Sequence, residues 1–478
     1  MRILSLCFIL LLVACNQDKP TQHLESKTMS EPSPYGSWPS PITAASVVAG
    51  ARGIAWLSLD GDDLYWVESR PAESGRNTIM RRRAGGEPEE LLPQPWNVRT
   101  RVQEYGGRSM LVAKGIIWFI NFADQRLYRM DPGEAPRPIT PQSGLRYAGC
   151  VMDSRRNRLI CVREDHRGPG EPANTLVELD PDRQSEGDVL FDASDFISAA
   201  SLSADGDAIA FTTWQHPNMP WDNTSLWSAS FDAEGALATP TLHNPGKAES
   251  VLDPRWSAAG ELHVISDRDN WWRIYRVDGE AFTPVPGSPE GSEVGGPAWV
   301  IGDKNYHFLE DGRILAKVMQ AGVQRAYVID GAKGSSTPLE LESAEIPDML
   351  PAGDRLYLVN GFSDRPTALV EADLQGRVLQ TLRSSRDTLV EPHWVPRYEV
   401  VSFPTGAGAT AHGLFLPPTN PDVEVPEGER PPLLVMAHGG PTAVASPTFS
   451  VSHLFWTSRG FAVLELNYRG SSGFGRSY

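Results

Sequence analysis

Pro432-Leu-Leu-Val-Met-Ala-His-Gly-Gly-Pro441, with Asn467-Tyr-Arg-Gly-Ser-Ser-Gly-Phe-Gly475 downstream, decides how the last part of this chain is read. Leu433 to Ala437 is a short continuous apolar run, the pattern of a strand buried on both faces, and it leads into a glycine-rich turn. Phe449 to Ser458 reads as a helix ended by Gly460, and Phe461 to Leu466 as the next buried strand. A strand, helix, strand succession implies a parallel pair with a right-handed crossover. Upstream, Val395 to Pro404 and Ala411 to Pro417 read as two more strands, followed by an acidic, proline-rich loop from Pro418 to Pro431.

Before about Glu391 the texture differs. From Ile54 to Arg386 an apolar or aromatic residue repeatedly leads into a turn rich in Asp, Gly or Asn, flanked by alternating strands. Trp56 to Val67, Leu202 to Phe211 and Trp256 to Ile265 are examples, with similar units around Met110, Val151, Trp299 and Leu350. A recurrence every roughly 40–55 residues is the spacing of four-stranded propeller blades. Seven blades is the preferred count, with six and eight left open by poorly delimited outer strands. The fold expected is an all-β seven-bladed propeller over residues 50–390, then the incomplete first part of an α/β-hydrolase domain over 391–478. Asp60-Gly61-Asp62-Asp63 and Asp267-Arg268-Asp269 lack the spacing of a calcium loop and suit hairpin turns. Trp271-Trp272 reads as blade packing rather than a sugar platform.

The formal charge of −17 argues against a nucleic-acid partner, since phosphate binding needs a basic face. The N-terminus reads as a targeting signal. Arg2 precedes an apolar run from Ile3 to Ala14, too short to span a bilayer as a mature helix. Leu12-Val-Ala-Cys15 resembles the bacterial lipobox, in which the cysteine becomes the acylated first residue. Residues 1–15 are therefore expected to be a lipoprotein signal peptide with Cys15 as the lipid attachment, and residues 16–49 a tether and N-terminal segment. The address implied is the bacterial cell envelope, facing the periplasm, with Asn16 favouring the outer membrane.

Cys150 and Cys161 are the cysteines left for the folded body, on either side of a hairpin pattern turning near Ser154 to Asn157. An oxidising compartment permits a disulfide between them; two free thiols packed as small apolar residues is the other reading. No metal-ligand spacing is present, and no cofactor is expected.

Several segments in order resemble the prolyl oligopeptidase family of serine peptidases, in its dipeptidyl aminopeptidase and acylaminoacyl-peptidase branch. They include Asn97-Val-Arg-Thr-Arg-Val-Gln-Glu-Tyr-Gly-Gly107, Asn121 to Tyr128, Val162 to His166 and Glu171 to Leu176. His216-Pro-Asn-Met-Pro-Trp-Asp222, Ser266-Asp-Arg268 with Trp271-Trp272, and His438-Gly-Gly-Pro-Thr442 complete the set. The resemblance implies a propeller capping an α/β-hydrolase and a substrate class of short peptides cleaved from the N-terminus. It also implies that backbone N–H groups of His438, Gly439 and Gly440 form part of an oxyanion hole. Glu104 has two readings, a partner for a substrate's α-ammonium or part of a blade-connecting turn. Arg469 likewise reaches the cleft or makes surface ion pairs.

The nucleophile of such an enzyme sits in a G-x-S-x-G turn, with aspartate and histidine following it. No such turn occurs up to Tyr478, and Gly470-Ser-Ser-Gly473 has a glycine one place too early. His412, His438 and His453 all precede the place where the elbow would fall. The chain as written is therefore expected to stop before its Ser/Asp/His triad and to be inactive alone. The rival from another class is a non-catalytic propeller lipoprotein that binds a peptide or an envelope protein.

Overall fold

The computed structural model describes residues 33–425 and 427–478. Cys15, the signal sequence and residues 16–32 of the tether lie outside the described residues. Among the described residues, hydrogen-bonded strands form eight sheets, seven of them purely antiparallel and consecutive in the chain, spanning residues 53–90, 110–138, 145–191, 196–242, 251–284, 293–338 and 345–384. We call these blades 1 to 7. Each of the seven units read from the sequence falls in a different blade.

Seven apolar clusters hold the blades face to face, one between each consecutive pair. Val67 and Ile79 of blade 1 meet Val112 and Phe119 of blade 2. Leu315 and Val328 of blade 6 meet Leu356 and Val370 of blade 7. The ring closes where Leu57, Trp66 and Met80 of blade 1 pack on Tyr357, Val359 and Leu369 of blade 7. Polar contacts seal the same seam. Arg383 donates twice to the fully buried Glu68, at 2.7 and 2.9 Å, a two-pronged geometry that offsets the cost of burying the carboxylate. Leu57 N–H donates to Asp348 at 2.8 Å. Closure leaves an axial cavity of about 360 Å³, walled by first strands of successive blades and by residues 298–305.

Within blade 3 the hairpin runs as the sequence predicts, with strands Leu145–Asp153 and Arg158–Asp165, and a disulfide joins Cys150 to Cys161. Asp60-Gly61-Asp62-Asp63 is a hairpin turn, with Asp60 paired to Asp63. Among the described residues no group of three or more His, Cys, Asp or Glu could hold a metal ion, and no helix is long and apolar enough to cross a membrane.

The eighth sheet contains strands Glu399–Pro404, Thr410–Leu416, Ala462–Asn467 and Leu433–Ala437 in that spatial order. The last two are parallel, Leu433 opposite Ala462 and Ala437 opposite Leu466. Helix Val451–Thr457 crosses between them. One expectation fails here. Leu433–Ala437 is not buried on both faces: it is an edge strand with a single neighbour, and Leu433 and Val435 are 49% and 56% exposed. An uncovered apolar edge of this kind is an aggregation hazard.

The described end of the 16–49 segment, residues 33–49, forms a strap packed against the eighth sheet's helix. Trp38 is buried, donates from Nε1 to Ser33 O at 2.9 Å, and lies over Gly460, where a Cβ would approach the indole to 3.0 Å. Ile42 joins Val451 and Leu454 in one cluster, and Arg459 donates to Ile42 O at 2.6 Å. The apolar residues Trp38 and Ile42 cover a helix face that water would otherwise reach. Trp38→Ala is expected to lower the stability of the eighth sheet by about 3 kcal/mol, leaving the blades intact. Hydrogen exchange checks this, with protection lost over 433–467 and retained over 53–384.

Candidate functional site

Parallel pairing sets the geometry of the C-terminal site. Because Leu433–Ala437 and Ala462–Asn467 run the same way, the turn 438–442 and the loop 468–475 leave from the same edge. The carboxyl ends of parallel strands are where open α/β sheets bind ligands. That edge faces blades 5 and 6 of the propeller.

Trp299, in the segment before the second strand of blade 6, makes the join. Its Nε1 donates to Thr442 O at 3.0 Å. Its ring lies where a Cβ on Gly440 would be, at 2.8 Å from Cζ2, and Gly440 has φ +89°. Glycine is required there twice over, by the left-handed backbone and by the indole. The Trp299 ring also contacts Trp221 (centroids 4.3 Å) and Tyr105 (5.1 Å), so three aromatics wall the propeller side. Gly107 permits this approach, because it bridges Ile301 and a Cβ on it would meet Ile301 O at 2.3 Å.

Opposite that wall, the N–H groups of Gly439 and Gly440 find no acceptor among the described residues. Two unspent donors on an exposed glycine turn are what an oxyanion hole requires. The His438 ring is committed elsewhere. It stacks on Tyr468 (4.3 Å), and its Nε2 lies 2.7 Å from Ser471 Oγ. Ser471 donates its own proton to Tyr468 O at 2.7 Å, so His438 Nε2 is the donor to Ser471. The Tyr468 hydroxyl donates to His438 O at 3.0 Å and fixes the start of the turn. His453 contacts Glu465 at 2.7 Å, and His412 contacts Ser402 at 2.8 Å. His412, His438 and His453 thus have structural partners.

The loop 470–478 is anchored to the propeller by two buried acids, Glu293, which the sequence reading missed, and Asp267, which it marked only as part of a turn and of a family-like segment. Glu293 accepts from Gly473 N–H at 2.6 Å and from Gly475 N–H at 3.1 Å. Burial pushes its carboxyl up to about 7, against the pull of the two glycine donors. Asp267 pairs with Arg476, and burial raises its carboxyl too. Met319 lies against Gly473, where a Cβ would come within 2.6 Å of its sulfur. Between these groups lies a cleft of about 340 Å³, bounded by Trp221, Trp272, Glu293, Thr442 and Ser472.

Glu104 sits on a turn in which Gln103 and Glu104 both have positive φ, 53° and 63°. The turn is fixed by Gln103 N–H donating to Glu164 at 3.0 Å, while the Glu104 side chain is 81% exposed and 3.5 Å from Arg146. Its neighbour Tyr105 touches Trp299, which places Glu104 on the rim of the same wall. Arg469 is exposed. Of the residues singled out in the sequence, His438, Gly439 and Gly440 come together at the site with Glu104 on its rim, and Cys150 and Cys161 lie in blade 3. Trp221 was marked only as part of the family-like segment His216–Asp222, Trp299 only as an aromatic in a blade unit, and Glu293 not at all.

Comparison with known proteins adds to this geometry. No protein-family model matches the chain. A puromycin-hydrolyzing peptidase from Mycobacterium tuberculosis is 36% identical in its solved structure, with a TM-score of 0.87 over 94% of this chain and 71% of that one. An uncharacterized peptidase, YuxL, of Bacillus subtilis (strain 168) is 27% identical over 149 residues, 30% of this chain and 22% of the relative. The acylamino-acid-releasing enzyme of Homo sapiens is 28% identical over 178 residues, 34% of this chain and 23% of the relative. The matched stretches thus span less than a quarter of these two curated relatives.

Glu293 yields a test of sign. A carboxyl whose folded-state pKa is raised favours the fold fully below the ordinary carboxylate range, and that contribution is lost as pH rises through about 7. Glu293→Gln is expected to flatten the fall in stability between pH 5 and 8, measured by chemical denaturation. Glu293→Ala is expected to cost roughly 2 kcal/mol at either pH, because it leaves two buried N–H groups unpaired.

Proposed function

Since the chain belongs to the prolyl oligopeptidase family, we propose that it serves the hydrolysis of short peptides by an acyl-transfer mechanism. These residues supply the propeller, the aromatic wall and one half of the oxyanion hole. The observation that carries the reading is the glycine turn held against Trp299, with two N–H groups free to meet a developing oxyanion. In the reaction, the peptide carbonyl would sit against Gly439 and Gly440. Trp221 and Trp299 would take apolar side chains of the substrate, and the second oxyanion donor would follow the nucleophile.

The ring of blades restricts entry, so the substrates are short peptides rather than folded proteins. Removal of residues from a peptide N-terminus fits Glu104 on the rim as a partner for an α-ammonium. We read residues 391–478 as the opening of the α/β-hydrolase domain, and the N-terminal Cys15 as a lipid anchor to the cell envelope. The 478 residues contain no G-x-S-x-G turn, and the histidines at 412, 438 and 453 are held by structural contacts. By themselves they bind substrate without cleaving it.

Two measurements on this 478-residue chain test the reading. A fluorophosphonate probe is expected to label no serine, and puromycin and short peptide p-nitroanilides to remain intact; labelling at a serine overturns the account of catalysis. Puromycin and a tripeptide are expected to quench tryptophan fluorescence saturably. Trp221→Ala is expected to weaken that binding by roughly tenfold, the equivalent of about 1.4 kcal/mol of lost aromatic contact. No quenching at millimolar ligand would contradict the substrate class and favour a propeller that binds a protein partner.

A further inference from the structure

The axial cavity of the propeller holds a charge arrangement that the peptidase reading does not use. Seven ionisable side chains cluster at its wall, from blades 5, 6 and 7 and the segment entering blade 2; Arg108, Asp253, Arg255, Asp303 and Lys304 line the cavity, with Lys317 and Asp348 behind them. Three are carboxylates, and each has its own cation. Asp253 faces Arg255 at 3.0 Å, Asp303 faces Lys317 at 3.3 Å, and Asp348 faces Arg108 at 3.6 Å. The carboxylates are further occupied by backbone donors: Asn305 N–H to Asp253 at 2.7 Å, Lys304 N–H to Asp303 at 2.8 Å, and Leu57 N–H to Asp348 at 2.8 Å. Lys304 is the seventh group. It lines the cavity, and among the described residues its ammonium has neither a hydrogen bond nor an ion pair. His307, buried beside this cluster, is held neutral by its burial and by the surrounding cations.

Matching cations to acids leaves one positive charge over, on a wall facing about 360 Å³ of space. Lys304 is half-buried, and a partly desolvated charge without a partner is unfavourable, so proteins pair such groups or neutralise them. Arg108 and Arg255 cannot turn to relieve it. The Arg108 guanidinium donates to Leu57 O at 3.1 Å and lies over the Trp56 ring, and that of Arg255 lies over the Tyr306 ring. We propose that the axial cavity is a binding site for a small oxyanion, a carboxylate or a phosphate, whose charge is met by Lys304 with Arg108 and Arg255 behind it. The site does not depend on the peptidase reading. It bears on the catalytic edge through the backbone, because residues 298–305 carry both Trp299 and Lys304.

Proton linkage supports the same assignment. With the cavity empty, repulsion from Arg108, then burial, lowers the Lys304 ammonium to about 7. An anion in the cavity favours the charged form, so binding takes up a proton and weakens as pH rises above that value.

The test uses this chain with sodium phosphate or sodium acetate as probes, against sodium chloride at equal ionic strength, read by thermal unfolding and calorimetric titration. A saturable rise in Tm with phosphate, acetate or both is expected, and the effective anion identifies a phosphate-like or carboxylate occupant. The acetate effect is expected to fade between pH 6.5 and 8.5. Lys304→Met is expected to abolish the response while unfolding, in chloride alone, at or above the wild-type temperature, because it removes an unpaired charge. Arg469→Met, at an exposed cation outside the cavity, is expected to leave the response unchanged. No rise beyond the chloride control, or an equal rise in Lys304→Met, overturns the proposal. A Lys304→Met chain that unfolds below wild type in chloride also overturns it, because Lys304 would then already have a stabilising partner.

Discussion

The indole of Trp299 wedged on Gly440 is the contact through which two independently built halves become one site. Seven blades are held by seven apolar clusters, and the eighth sheet has its own helix and strap. Neither half positions the glycine turn alone. Gly439 and Gly440 have no Cβ to lock them and present unspent N–H groups, so their shape is set by contacts from both sides. Trp299 sets it by occupying the space beside Gly440 and by donating its N–H to the Thr442 carbonyl. Tyr468 fixes the start of the turn from beneath, and Glu293 fixes the adjacent loop.

This arrangement puts strain and burial where chemistry is expected. Glu293 keeps a carboxylate out of water in order to hold two glycine N–H groups, and the result is a carboxyl near neutrality at the interface. Gln103 and Glu104 adopt left-handed backbone to send Tyr105 against Trp299. Each costs local stability of the order of a kilocalorie or more. Each is tolerated because the packed ring around it has few other arrangements.

The fold was legible because its signals are local. Hairpin turns such as Asp60–Asp63 and alternating strands mark every blade, and the count of seven followed from their spacing. The parallel pair was legible from strand, helix, strand order. The burial of Leu433–Ala437 was misread because an apolar run states what a strand prefers, not how many neighbours it has. The packing of the strap at 33–49 had no sequence signal of its own, because polar and proline-rich neighbours surround Trp38 and Ile42. The glycine turn could be read from sequence, since its residues are contiguous. Trp299, Glu293 and Lys304 could not, because their roles come from partners more than 100 residues away or from a cavity that exists only once the ring has closed.

The central claim is that the propeller, through Trp299, sets the conformation of the 438–442 turn. Amide hydrogen exchange on the Trp299→Ala chain tests it directly. Faster exchange over residues 438–445, with unchanged protection in strands 53–60 and 355–361, is the expected result. Unchanged exchange over 438–445 would contradict it, showing that the turn is held by its own sheet and that the propeller contact is incidental.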